Sequence, residues 1–246
     1  MRLDQALVAR GLALSRSQAR DQIVRGRVQV DGRPVSKAGL AVTAETRIAL
    51  LGNAPSRVSR GGEKLAHALD HYACDPSGRS VIDIGASTGG FTEELLRRGA
   101  AHVTAVDIGT GQLHTSLRDD PRITVLEQTD ARHLSPELVA QPIDAIVCDV
   151  SFISLTKVLG PAIALAQPQS WVVALIKPQF ELERCAIGKG GIVRAAQDHD
   201  AACAAVLQWL IAQSGWHTHD VIPSPIKGKA GNAEFLIAAT LGATDD

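Results

Sequence analysis

Two stretches of this chain place a charge where a strand-like run ends. Val147-Cys148-Asp149-Val150-Ser151-Phe152 puts Asp149 at the edge of one run, and Leu175-Ile176-Lys177-Pro178-Gln179-Phe180 puts Lys177 at the edge of the next. Packing asks for no charge at either place, and the carboxyl ends of parallel strands are where open sheets hold their ligands. A lysine beside an aspartate, near a positively charged reactant, forms a tuned proton-handling pair. Pro178 fixes the backbone directly after the lysine. Either residue alone reads equally well as an ordinary strand end; together they read as a site.

A second constellation precedes them. Ser80–Thr92, SVIDIGASTGGFT, reads as strand, glycine-rich turn and helix, the arrangement that brings bare backbone to a nucleotide-like ligand. Its candidate cofactor residues are Asp83, Gly85, Ala86, Ser87, Thr88, Gly89, Gly90 and Phe91. Val103–Asp107 is a second strand ending in an acid, so Asp107, followed by Ile108, is placed to hold the two hydroxyls of a ribose. Asp130, followed by Ala131, comes after the third strand. It is placed either to accept from an adenine amino group or to cap a helix before Leu134. A dinucleotide turn needs a glycine two residues beyond Gly85, where Ser87 stands, and a Walker loop needs a Gly-Lys-Ser/Thr ending that is missing. The loop is therefore expected to take S-adenosylmethionine, with Asp149 shared between cofactor and reaction.

The elements that must position these residues follow from periodicity. Beyond residue 60 the pattern alternates strand and helix, with strands expected at 80–84, 102–107, 123–126, 143–148, 171–176, 217–222 and 234–239. Helices are expected near 64–71, 90–98, 111–118, 134–140, 155–166 and 195–213, the last marked by Ala202, Val206, Trp209 and Leu210. This predicts an α/β fold: a Rossmann-like domain with a seven-stranded, mostly parallel sheet over residues 61–242. A small α+β module over 1–52 and a linker over 53–60 precede it. In the small module Leu3, Leu7 and Val8 share a helix face, and Ser15 caps a second helix striped by Ala19, Ile23 and Val24. Gly26 ends that helix, and strands at 27–30 and 46–51 flank the hairpin turn Asp31-Gly32.

The net charge of −1 hides an asymmetry. Residues 1–60 hold 11 Lys+Arg against 4 Asp+Glu, which leaves 14 bases and 22 acids for the remainder. A basic module on an acidic body points to a polyanion partner. Arg2, Arg16, Arg20, Arg25, Arg27 and Lys37, with Arg57 and Arg60 in the linker, are the candidate phosphate contacts. Cys74, Cys148, Cys185 and Cys203 form no CxxC pair, so reduced thiols, a cytoplasmic setting and no metal site are expected. No apolar run is long enough to span a bilayer and the first residues lack a leader pattern, so no membrane association is expected.

The chain also resembles a known family along essentially its whole length. LDQALVARGLALSRSQARDQIVRGRVQVDGRPVSK (3–37) resembles an S4-like RNA-binding domain. SRGGEKL (59–65), DIGASTGGFTEELLRRGA (83–100), AVDIGTGQL (105–113), DVSFISL (149–155), LIKPQFE (175–181), KGGIVR (189–194) and GNAEFL (231–236) resemble successive blocks of an FtsJ-like methyltransferase domain. This is the pattern of the TlyA family of haemolysin-like ribosomal RNA methyltransferases. The resemblance implies transfer of a methyl group from S-adenosylmethionine to a ribose 2'-hydroxyl of ribosomal RNA, at cytidine. It also implies a Lys-Asp-Lys-Glu tetrad falling on Lys64, Asp149, Lys177 and Glu234, with rRNA or ribosomal subunits as partner. Thr110, Thr115 and Asp130 depart from residues usual in the family. The alternatives are a non-enzymatic RNA-binding or ribosome-assembly protein with a vestigial pocket, an NAD-dependent oxidoreductase, which the glycine spacing disfavours, and a pore former, for which the chain shows no spanning run.

Overall fold

The computed structural model describes residues 1–13, 16–24, 26–51, 58–139, 142–188, 190–228 and 230–243. The cap at Ser15, the candidate contacts Arg25 and Arg57, and most of the expected linker lie outside the described residues. The chain divides into two units, Met1–Ser59 and Arg60–Asp246.

The first unit is built on two short helices and a three-stranded antiparallel sheet. Leu3, Ala6 and Leu7 sit three and four residues apart on α1 (Leu3–Ala9), and all are buried. Ala19 and Ile23 are the buried stripe of α2 (Arg16–Val24), whereas Val24, expected in that stripe, is exposed one position round the helix. Gly26, at φ +67, follows the helix in the left-handed conformation that an ordinary side chain resists. β1 (Val28–Val30), β2 (Arg33–Pro34) and β3 (Ile48–Leu50) pair in the order β2-β1-β3. Asp31 and Gly32 both have positive φ, as a two-residue hairpin turn of matching twist requires. The fully buried Leu3, Leu7, Ile23 and Val28 meet in one core, and each such side chain stabilises the fold by roughly 1.5–3 kcal/mol.

The second unit opens with α3 (Gly61–His71) and continues as β4 (Ser80–Ile84), α4 (Gly90–Arg97), β5 (His102–Val106), α5 (Thr115–Arg118) and β6 (Ile123–Leu126). After these come β7 (Ile143–Cys148), α6 (Leu155–Ala164), β8 (Ala166–Ile176), α7 (Pro178–Glu181), α8 (Ala196–Ile211), β9 (Trp216–Thr218), β10 (Ile222–Pro223) and β11 (Phe235–Leu241). The strands lie in the order β10-β11-β8-β7-β4-β5-β6, with β9 also on β11. Pairs β6-β5-β4-β7-β8 are parallel, and β11 enters antiparallel beside β8. The order reverses between β4 and β7, which opens a crevice at their carboxyl ends. Leu155, Leu159 and Ala162 of α6, with Val206 and Leu210 of α8, pack with Ile82, Ile146, Val172 and Ile237 in one core. Among the described residues no helix is long and apolar enough to cross a membrane.

Four local expectations are corrected. The single strand expected at 217–222 is two short pieces, β9 and β10, so the sheet has eight strands rather than seven. Between them His219 N donates to Ala238 O, and the Asp220 carbonyl accepts from the Tyr72 hydroxyl, which diverts the edge. The expected helix at 134–140 is absent: a single 3-10 turn, Ala131–His133, precedes turns through the described part of that stretch. The expected helix at 111–118 shrinks to α5, because Gly111 is left-handed at φ +64 and His114 is extended at ψ 141, so the helix starts only at Thr115; the Glu127 carboxylate accepts from Gly111, Gln112 and Leu113 in the loop before it. The strand expected at 171–176 begins five residues earlier, where Ala166 pairs with Ile143 across a bulge.

Candidate active site

Four charged side chains gather at the carboxyl edge of the sheet. Lys177 follows β8 and Glu234 precedes β11; because Phe235 pairs with Ile176, the same antiparallel register sets Glu234 opposite Lys177. Asp149 follows β7, and its N–H donates to Ile84 O at 2.9 Å, which ties it to the end of β4. Lys64 comes from the first turn of α3. Lys64 Nζ donates to Glu234 Oε2 at 2.5 Å, with the two residues 8% and 5% exposed. Lys177 Nζ lies 2.5 Å from Asp149 Oδ1 and donates to Ser151 Oγ at 2.9 Å. Burying a charge is costly unless a partner sits against it, and here each buried ammonium has a carboxylate of its own. Two lysines and two acids so gathered can hold a polar substrate and move a proton.

The glycine-rich turn sits beside this pair. Gly85 (φ +81) donates its N–H to Val106 O, and a Cβ there would stand 2.7 Å from Asp149 O. Gly89 (φ +96) would drive a Cβ into Leu113 and Leu117. Both glycines are thus required by neighbouring chain, and the first lets the Asp149 backbone cross the end of β4. Ser87 and Thr88 form the exposed crest, while Ala86, Gly90 and Phe91 are buried. Phe91 belongs to the core rather than to a ligand surface. Asp83 is also sealed from solvent: Thr92 Oγ1 donates to its Oδ2 at 2.6 Å, and Oδ1 has no partner among the described residues. Burial pushes its carboxyl up to about 7 despite the Thr92 hydrogen bond, and the charges of Asp149 and Asp107 add to the rise.

Asp107 closes β5 and binds two turns together, accepting from Ser87 N at 2.8 Å and Gly109 N at 2.7 Å. Ile108 beside it is 74% exposed, an apolar side chain held in the open. Asp130 takes the capping role: its Oδ1 accepts from Arg132 N at 3.0 Å, and its carboxylate pairs with the Arg132 side chain at 2.6 Å. Hydrogen bonds from the Arg132 side chain and backbone hold it down to about 2. Ala131 is buried in the turn that follows.

The FtsJ-like methyltransferase family matches residues 57–241, and the S4 domain matches residues 1–48. The 16S/23S rRNA (cytidine-2'-O)-methyltransferase TlyA of Mycobacterium tuberculosis is 45% identical over 96% of this chain and 88% of its own length. Hemolysin A of Brachyspira hyodysenteriae is 40% identical over 96% of this chain and 98% of its own. The chain belongs to the TlyA family of FtsJ-like methyltransferases. A solved structure of a hemolysin-named protein from Streptococcus thermophilus, 36% identical, superposes with a TM-score of 0.76 over 98% of this chain and 88% of that one.

The S4 domain of this family member carries the basic residues, and the structure divides them. Arg27 and Lys37 are exposed, as phosphate contacts require. Arg2, Arg16 and Arg20 are not free helix-surface charges, because all three hold the buried Asp4. Arg60 is half-buried at the start of α3 in the second unit. Sequence reasoning missed four residues that shape these sites: Asp4, Ser151, Glu127 and Asn232. Asn232 is buried, accepts from Val193 N at 3.0 Å and donates to Gly191 O at 2.8 Å, fastening the 191–193 loop to the segment that carries Glu234. An acid directly after a strand, as in Leu126-Glu127, was the available signal for the clasp.

Proposed function

We propose that this chain is an S-adenosylmethionine-dependent ribose 2'-O-methyltransferase of ribosomal RNA acting on cytidine. Residues 1–52 dock the RNA and residues 61–242 carry the reaction. The observation that carries the reading is the two ion pairs, the buried Lys64–Glu234 and the partly buried Lys177–Asp149, gathered where β7 and β8 end and β11 begins. The family's relatives named as rRNA cytidine-2'-O-methyltransferases support the choice of substrate.

The residues present suit the cofactor. Asp107 ends β5 with acceptor capacity left for ribose hydroxyls, Ile108 offers an exposed apolar surface for a flat ring, and the orphan oxygen of Asp83 lies beneath the loop. Gly85, Ala86, Ser87, Thr88, Gly89 and Gly90 would pass the amino-acid half, and Asp130 and Ala131 would border the adenine. When bound, S-adenosylmethionine supplies a methyl group on a positively charged sulfur. The 2'-hydroxyl is a weak nucleophile; Lys177 Nζ takes its proton when it enters the step as the neutral amine, and as an ammonium it stabilises the developing alkoxide instead. Asp149, 2.5 Å away, stabilises the ammonium. Lys64 and Glu234 hold the target ribose by hydrogen bonds, which restrains the reacting oxygen. Phe152, at φ +67 and 90% exposed, rests its ring 5.0 Å from that of Phe180 and offers an aromatic face to an unstacked base.

The test is tritiated methyl transfer to intact ribosomal subunits and bare rRNA, followed by mapping of 2'-O-methyl positions. Wild-type protein labels a defined ribose. Lys177→Ala lowers the rate by at least about 100-fold while cofactor affinity is retained. Wild-type activity in Lys177→Ala overturns the assignment. Cofactor binding without label on any ribosomal particle points instead to an RNA-binding protein that has kept its pocket.

A further inference from the structure

Asp4 is a fully buried carboxylate in the most basic part of the chain, and the chemistry above does not use it. It lies in the first turn of α1, where three arginines from separate positions converge on it. Arg2 Nε donates to Oδ1 at 3.1 Å, Arg16 Nη2 to Oδ2 at 3.2 Å and Arg20 Nε to Oδ2 at 3.0 Å. Burial opposes the charged carboxylate, yet these hydrogen bonds prevail and hold Asp4 well below the usual carboxylate range. The arginine side chains are 50%, 51% and 53% exposed, so each keeps part of its donor fork open. Gly39 borders the cluster: a Cβ there would stand in ordinary contact, 3.5 Å, with the Arg2 guanidinium, so a larger side chain would reach into it.

Three guanidinium groups around one point repel one another, and the single carboxylate offsets only one of their charges. The cluster keeps a formal charge of +2 and a fixed geometry, which spares a ligand the cost of ordering three long side chains. Arginine forks match the oxygens of a phosphodiester. We infer that Asp4 is the positioning residue of a phosphate-docking site, holding Arg2, Arg16 and Arg20 as one preorganised triad for the RNA backbone; this rests on the reading of the chain as an rRNA enzyme.

The inference has a sign that net charge alone reverses. Asp4→Asn makes the chain one charge more positive, so binding governed by net charge tightens, whereas a positioned triad that splays apart binds more weakly. The experiment measures rRNA-fragment affinity against salt concentration for full-length wild type, Asp4→Asn and Gly39→Leu, with amide exchange over residues 1–51 reporting that the unit is folded. Asp4→Asn is expected to bind about tenfold more weakly, with a salt slope shallower by about 1–2. In methyl transfer its loss falls on KM for RNA rather than on kcat. Gly39→Leu changes no charge and displaces the Arg2 guanidinium; it is expected to bind about threefold more weakly. If Asp4→Asn does not fold, Gly39→Leu decides alone. Unchanged or tighter binding by a folded variant overturns the inference while leaving the enzymatic reading intact. Failure of the wild-type chain to bind any rRNA overturns both.

Discussion

Asp83 shows how one residue can serve a site without facing it. The strand-end pattern assigns it to the cofactor, but the fold seals it below the loop, where it anchors Thr92 of α4 to β4. A carboxyl whose folded value is raised from 3.8 to about 7 binds its proton more tightly in the folded state. Folding is therefore unpenalised below the unfolded value and loses stability as pH climbs from about 4 to about 7, by at most about 4 kcal/mol. Asp83→Asn cannot ionise. Thermal melts of the two proteins are expected to converge near pH 4 and to separate, with the variant the more stable, by pH 8. A gap that does not change with pH rejects this account of the carboxyl.

The loop between β5 and α5 takes its shape from a residue outside it. Glu127, just after β6, accepts from Gly111 N at 2.8 Å and Gln112 N at 3.0 Å, and pairs with Arg118 at 2.5 Å. Those backbone bonds and the hydrogen bond from Arg118 hold its carboxyl down to about 2, from 4.5. The clasp is thus complete above pH 4.5 and is lost only as pH falls toward 2. Gln112, placed by the clasp, reaches Ser87 and Asp107 with its amide. Glu127→Gln keeps the shape but loses the charge that these N–H groups and Arg118 answer. Amide exchange at 111–113 is expected to quicken and cofactor affinity to fall roughly tenfold, read by calorimetry. Unchanged exchange there means that the loop holds itself.

For the whole molecule, the charge asymmetry predicts how it meets RNA. The S4 domain carries Arg2, Arg16, Arg20, Arg27 and Lys37, and five phosphate contacts give a slope of about −4 for log affinity against log salt. Filter binding or anisotropy across moderate salt measures it, and a slope near zero rejects an electrostatic role for the basic unit. The methyltransferase family match falls almost wholly on the other unit. All four tetrad residues lie within Arg60–Asp246, so cofactor affinity is expected to stay nearly constant over the same salt range.

Much of this was legible in the chain itself. Strand-helix alternation, the glycine turn, the Asp-Gly hairpin and the polar ends at Asp149 and Lys177 are local signals, because backbone conformation and face periodicity depend on neighbours close in sequence. What the local pattern cannot carry is competition from distant groups. The helix expected over 111–118 starts only at Thr115, because Glu127 and the Thr88 carbonyl hold residues 111–114 in a loop conformation, and the last edge strand divides where the Tyr72 hydroxyl captures the Asp220 carbonyl. Glu234 is a lone charge at a strand end until the β8–β11 register and α3 bring Lys64 to it from 170 positions away. Asp4 likewise looks like an ordinary helix acid, and only the packed domain, by burying it among three arginines, makes it a hub. Sequence spacing determined which residues stand at which strand ends; the tertiary structure decided which charges share a buried space and must therefore answer one another.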